Sequence, residues 1–155
     1  MIPRGSSPPV SAMISAMEID VRGPRFGATL TTVVLAVVLI TGSGWLLAAQ
    51  ALVFAAGAAA GVQNSPYGWV FRTLVRPRLG PPPATEDAAP PRFAQAVGLV
   101  FAVVGVIGYL VGPQWLGVAA AACALAAAFL NAAFAYCLGC EMYLLLKRGT
   151  TRQAL

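Results

Sequence analysis

FAQAVGLVFAVVGVIGYLV, residues 93–111, holds no charged side chain and a single amide, Gln95. Its apolar residues follow one another without the alternation of a half-buried strand or the single stripe of a surface helix. A helix that is apolar on every face belongs in a bilayer, and about 20 residues rising 1.5 Å each cross the hydrocarbon. Three other runs share this character. Phe26 to Ile40 ends at Thr41-Gly42-Ser43-Gly44, Trp45 to Val62 follows at once, and Trp115 continues almost unbroken to Leu146. The expected fold is all-α, a four-transmembrane-helix bundle of two helical hairpins, with helices near 26–41, 45–62, 93–111 and 115–146. The first run is short, so flanking residues should complete it. The fourth exceeds the membrane thickness, so it should bend or project beyond it.

Composition agrees. The chain is 59% hydrophobic and 10% charged, against about 25% charged in soluble domains, and its mean hydropathy is +0.78. There is no histidine, which removes the commonest metal ligand and the usual proton shuttle. Of the carboxylates Glu18, Asp20, Glu86, Asp87 and Glu141, only Glu141 adjoins an apolar run. That distribution argues against a carboxylate metal centre, an acidic dyad or a proton wire through the bilayer. No cofactor is evident. The net charge of +5 reads as the flanking charge of a helical membrane protein rather than as a nucleic-acid surface.

Every Lys and Arg lies on one side of the expected topology. Arg4, Arg22 and Arg25 precede the first helix, Arg72, Arg76, Arg78 and Arg92 lie in the long loop, and Lys147, Arg148 and Arg152 follow the last helix. The two opposite turns carry no charge. The positive-inside rule then puts both termini and the loop in the cytoplasm. Residues 1–19 read as a disordered cytoplasmic N-terminus without a cleavable signal, 20–148 as the membrane domain and 149–155 as a tail. Met1, Met13 and Met17 are all open as starts.

Pro24-Arg25-Phe26 opens the first hairpin and Pro91-Arg92-Phe93 the second. Each is followed by an apolar helix, a turn bearing a Trp (Trp45, Trp115) and an alanine-rich helix. A parallel internal repeat about the membrane normal is one account, and chance recurrence is the other. Gly57 with Gly61, Gly108 with Gly112, and the seven-residue spacing of Gly98, Gly105 and Gly112 suit close helix packing. Packing within the chain explains them, and a homodimer is the alternative.

In the loop, Ser65 caps a helix with Pro66 in its first position, and Tyr67, Val70, Phe71 and Leu74 recur at helical spacing until Pro77. This predicts an amphipathic interfacial helix over 66–76. Arg72 and Arg76, with Arg92 beyond, would contact lipid headgroups or an anionic ligand. Gly80-Pro81-Pro82-Pro83 to Pro90-Pro91 reads as a stiff exposed linker.

The chemically pointed motif is Cys137-Leu138-Gly139-Cys140. On a continuous fourth helix the thiols share one face, close enough for a disulfide after a modest backbone adjustment. In a reducing compartment C-x-x-C suggests redox or metal chemistry. A closed zinc site needs four ligands, and only Cys137, Cys140 and Glu141 are at hand. Cys123 lies fourteen residues upstream, about 21 Å along a straight helix. Redox or sulfur-transfer chemistry by Cys137 and Cys140 is the better fit, although a C-terminal helix position beside Glu141 would disfavour a thiolate unless Arg72, Arg76 or Arg92 of the loop supplied a compensating cation. Two packed, inert thiols are the plain alternative. Asn131 and Gln50 suit interhelical hydrogen bonding, and Asn131, six residues before Cys137, is also placed to line a small polar cavity leading to the thiols.

From Asp20-Val21-Arg22-Gly23-Pro24-Arg25-Phe26 onward, through Ser65-Pro66-Tyr67, Arg76-Pro77-Arg78-Leu79-Gly80, Pro91-Arg92-Phe93-Ala94-Gln95 and Cys137-Leu138-Gly139-Cys140-Glu141-Met142-Tyr143, the chain resembles an uncharacterised bacterial family. Its members are small four-helix integral membrane proteins catalogued as a domain of unknown function. The resemblance implies a multi-pass protein of the bacterial cell membrane. It also implies a thioredoxin-like or rhodanese-like cytoplasmic partner, since such proteins tend to be encoded nearby. It carries over no catalytic residue. The first expectation is a thiol-redox or sulfur-relay component using Cys137 and Cys140, and the alternative is a non-enzymatic membrane scaffold. A solute transporter is disfavoured by the scarcity of intramembrane polar residues.

Overall fold

The apolar runs are largely helical in the computed structural model, which describes residues 18–153. The expectations for the earlier residues, disorder and the choice of start, lie outside the described segment. In chain order the elements are strand β1 (Glu18–Asp20), helices α1 (Arg22–Thr41) and α2 (Gly44–Ala60), and a 3-10 turn at Val62–Asn64. Then come α3 (Pro66–Val70), a wide π-helical turn (Phe71–Val75) and α4 (Arg76–Leu79). Strand β2 (Thr85–Asp87) and helices α5 (Ala89–Leu110), α6 (Gln114–Phe134) and α7 (Leu138–Gln153) complete the chain. The fold is all-α apart from one short ribbon. Helices α1, α5 and α6 are long and apolar enough to cross a membrane, and α2, with 17 residues, is apolar but shorter.

Both α1 and α5 begin before their apolar runs, at Arg22 and Ala89 rather than Phe26 and Phe93. Pro24, Pro90 and Pro91 fall in the first turns, whose N–H groups have no partner inside a helix. The short first run is thereby completed, as its length required. At the α1–α2 turn Gly42 takes the left-handed conformation (φ 67°), and the Ser43 hydroxyl accepts the Leu46 N–H at 3.2 Å.

The expected fourth helix, 115–146, is two helices. It stops at Phe134, Ala135 turns left-handed (φ 55°), and α7 starts at Leu138. The loop also departs from expectation. The helical segment of the loop continues past Pro77 to Leu79, because Pro77 sits at the start of the α4 turn where its missing N–H is not needed. The linker and N-terminal tail are not both free: Glu18–Asp20 pairs antiparallel with Thr85–Asp87, Ile19 lying opposite Glu86. Arg22 fastens this ribbon through an ion pair to Asp20 (2.8 Å) and hydrogen bonds to the Leu79 and Gly80 carbonyls.

The most extensive helix contacts are α2 with α5, α1 with α6 and α5 with α6, whereas α1 and α2 touch sparingly. Helix α1 therefore packs on α6 and α2 on α5, while α5 and α6 also pack closely on each other. Glycine explains the pattern. A Cβ on Gly108 would fall 2.8 Å from the Gly117 Cα, so α5 and α6 meet backbone to backbone near their turn. Gly98 receives the Phe54 ring of α2, and Gly57 receives Gln95 of α5. Small residues are the main association device between apolar helices. Leu35, Val38, Leu47, Phe54, Ala102 and Ala121 form the buried core. Val33, Ile40, Leu52, Val100, Ile107 and Phe129 point outward, exposed.

The two halves repeat each other's contacts. Arg25 at the start of α1 donates to the Ala132 carbonyl ending α6 (3.2 Å), while Arg92 at the start of α5 donates to Ala58 and Ala59 ending α2 (2.6 Å each). Phe26 meets Phe71 at a centroid distance of 5.7 Å, and Phe93 meets Tyr143 at 5.8 Å. Helices α2 and α6 both end on a residue of positive φ, Gly61 and Ala135. In the second half, α7 stands where α3 stands in the first.

Candidate functional site

The break at Ala135 decides the position of the cysteines. Because α6 ends at Phe134, Cys137 precedes the first residue of α7 and caps it: its Sγ accepts the Cys140 N–H at 3.2 Å. Ser65 does the same for α3, its Oγ accepting the Gly68 N–H at 3.1 Å. The C-x-x-C thus occupies a helix N-terminus, not the C-terminal end that a continuous helix implies. Cys137 and Cys140 are disulfide-bonded with Cα atoms 5.1 Å apart, and both are half-buried. Glu141 lies in the first turn, where a carboxylate complements the helix dipole. Gly139 presses α7 onto α5, since a Cβ there would lie 2.6 Å from the Ala94 Cα.

Behind Cys137 lies a cavity of about 310 Å³. It lies between α5, from Ala94 to Phe101, and α6, from Cys123 to Asn131, with Leu138, Gly139 and Met142 of α7 also lining it. Phe54, Phe101, Leu138 and Met142 supply apolar wall, and Thr31, Gln95 and Asn131 are its polar residues. Cys123 borders the same cavity as Cys137. No three His, Cys, Asp or Glu side chains are grouped to hold a metal ion among the described residues.

A second cavity, about 410 Å³, adjoins the first at Pro24 and Val62. Arg72 and Arg76 line it with Glu18, Asp20 and Gln63. The Gln63 Oε1 is buried without a partner. The Arg22 guanidinium, hydrogen-bonded to Asp20, holds that carboxyl below its ordinary range, while burial pushes Glu86 up. The candidate arginines are thus not gathered at the thiols. Arg72 and Arg76 face the neighbouring cavity, and Arg92 is engaged by the end of α2.

Three features escaped sequence reasoning. Cys123 lines the same cavity as Cys137, although about 16 Å of α6 separates it from Phe134. Gln95 stands alone in the apolar run from Phe93, and an isolated amide in a span is a signal of function. Arg25 mirrors Arg92, as their shared Pro-Arg-Phe context indicates. Gln50 was assigned to interhelical hydrogen bonding and does it: buried between α1 and α3, it donates to Thr31 (3.4 Å) and accepts from the Tyr67 hydroxyl (2.6 Å).

Neither the curated proteins nor the solved structures give a match to this chain. One family model does match, over residues 19–148, from β1 through the apolar helices and into α7, the cysteine motif included. The chain belongs to the family described as domain of unknown function DUF4395.

Proposed function

We propose that the chain is a four-span membrane protein whose Cys137–Cys140 pair cycles between disulfide and dithiol at the cytoplasmic membrane face. The observation that carries this is the capping of α7 by Cys137. A helix N-terminus presents unpaired N–H groups and a positive dipole end, the setting that stabilises a thiolate and makes it a nucleophile or a good leaving group. No compensating arginine is needed.

The span arrangement is supported by the outward apolar surface and by charge. Helices α1 and α5 start, and α2 and α6 end, at the pole where Arg25 and Arg92 form their bonds. The opposite pole has the uncharged turns, with Trp45 and Trp115 exposed as an interfacial aromatic belt. The 17 residues of α2 are extended by the Val62–Asn64 turn. The matching arginine caps, ring pairs and cap residues support a parallel duplication in which the C-x-x-C has replaced a serine cap.

In the reaction, a thiolate of a thioredoxin-like dithiol partner attacks one sulfur of the disulfide and releases the other as thiolate. The partner's second thiolate then displaces the first cysteine. Two electrons pass to Cys137 and Cys140, which take up two protons, and the partner leaves oxidised. Differential thiol labelling in bacterial membranes, with Cys137→Ser and Cys140→Ser controls, tests the reading. It requires both redox states to be found in cells, and a pair that never changes state would sink it.

A further inference from the structure

We infer that the cavity behind Cys137 binds the ring of a lipid-soluble quinone, which re-oxidises the Cys137–Cys140 dithiol. This rests on the dithiol–disulfide reading above and adds its electron acceptor. Among the described residues, the side-chain amides of Gln95 and Asn131 have no hydrogen-bond partner, yet both line an apolar chamber. Intramembrane polar groups left open in this way mark a ligand site. Their N–H groups match the carbonyl oxygens of a quinone. No charged residue lines the cavity, which disfavours nucleotides, sugar phosphates and ions.

Size and access agree. A volume of about 310 Å³ admits one substituted ring between Phe54, Phe101 and Met142. Cys123 and Phe101 line the cavity and are exposed, which fits a lateral route in from the bilayer. Cys123 lies eleven residues before the end of α6, about 16 Å deeper than Phe134. A ring entering there and advancing to Cys137 reaches the sulfur without crossing water. The step balances. The two S–H bonds break, the sulfur–sulfur bond forms, and the quinone takes two electrons and two protons and leaves as hydroquinone.

The test uses full-length protein in liposomes, reduced and then freed of reductant under anaerobic conditions. The probe is decylubiquinone, whose fully substituted ring offers no position for thiol addition. One hydroquinone should form per disulfide, and Cys137→Ser and Cys140→Ser should abolish it. Gln95→Leu and Asn131→Leu should each weaken saturation by quinone about tenfold, the equivalent of one hydrogen bond of about 1.4 kcal/mol, while exchange with glutathione disulfide is retained. In oxidised wild-type protein, which needs no mutation, decylubiquinone should slow labelling of Cys123 by a lipid-soluble maleimide. Oxidation by glutathione disulfide but not by quinone would overturn the proposal and leave the dithiol reading standing. Inertness to both oxidants would overturn the two together. Equal protection of Cys123 by a plain alkyl chain, without quinone reduction, would show that lipid fills the cavity and would also overturn it.

Discussion

Adding one methyl group at Gly139 should loosen the cysteine site by an amount that follows from how α7 sits on α5. In Gly139→Ala the new carbon would lie 2.5 Å from the Ala94 Cβ and 2.6 Å from its Cα. Carbon atoms rest at about 3.5–4.0 Å, so α7 must retreat by roughly 1 Å or more. The obstructing atoms are backbone and a methyl group, neither of which can rotate aside. Overpacking of this kind costs about 1–3 kcal/mol. The better helix propensity of alanine offsets up to about 1 kcal/mol of it. A net loss of about 1–2 kcal/mol raises the open population of the α7 start by a factor of roughly 5–30. The assay is the rate at which a water-soluble phosphine reduces Cys137–Cys140 in proteoliposomes, read as mass added by maleimide. The reduction should quicken within that range. An unchanged rate would refute the claim that Gly139 holds the disulfide against α5.

Other perturbations have equally definite outcomes. Arg92→Met removes two bonds to the end of α2 and Arg25→Met only one to the end of α6, so the first should lower the unfolding midpoint in detergent more than the second. Tyr67→Phe and Gln50→Leu should each destabilise by about 1–3 kcal/mol by orphaning a buried partner, and the double variant should cost less than their sum. The pH response of the ribbon has two signs. Glu86, raised above 4.5 by burial, costs stability when charged, so acidification from neutrality first tightens the ribbon. Asp20, lowered from 3.8 by Arg22, contributes stability above that value, and this is lost as pH falls through the depressed pKa. Hydrogen exchange at 18–20 and 85–87 should show both phases, with Glu86→Gln removing the first and Asp20→Asn the second.

Much of the fold was legible because bilayer physics leaves few choices. The uncharged run from Phe93 to Val111, the excess length after Trp115 and the Ser65-Pro66 cap each predicted something now seen. The break at Ala135 was not legible in position. Ala-Tyr-Cys contains no glycine or proline, yet Ala135 turns left-handed and α6 closes through hydrogen bonds from the Ala135 and Tyr136 N–H groups to the Asn131 and Leu130 carbonyls. That one residue changed the chemistry of the site by converting a helix end into a helix start. The β1–β2 ribbon was equally hidden, since Glu18 and Asp87 face each other in it as like charges, an arrangement strand propensity disfavours. Arg72 and Arg76 lie between α2 and α5, and sequence could not tell that they open onto a different cavity from the thiols.

Redox titration of Cys137–Cys140 in the intact, membrane-embedded protein against thiol–disulfide buffers tests the central claim most directly. A reversible two-electron couple between about −120 and −270 mV, the range of known exchange proteins, is the predicted result. A pair that stays oxidised below about −300 mV behaves as a structural staple, and that result would contradict the account.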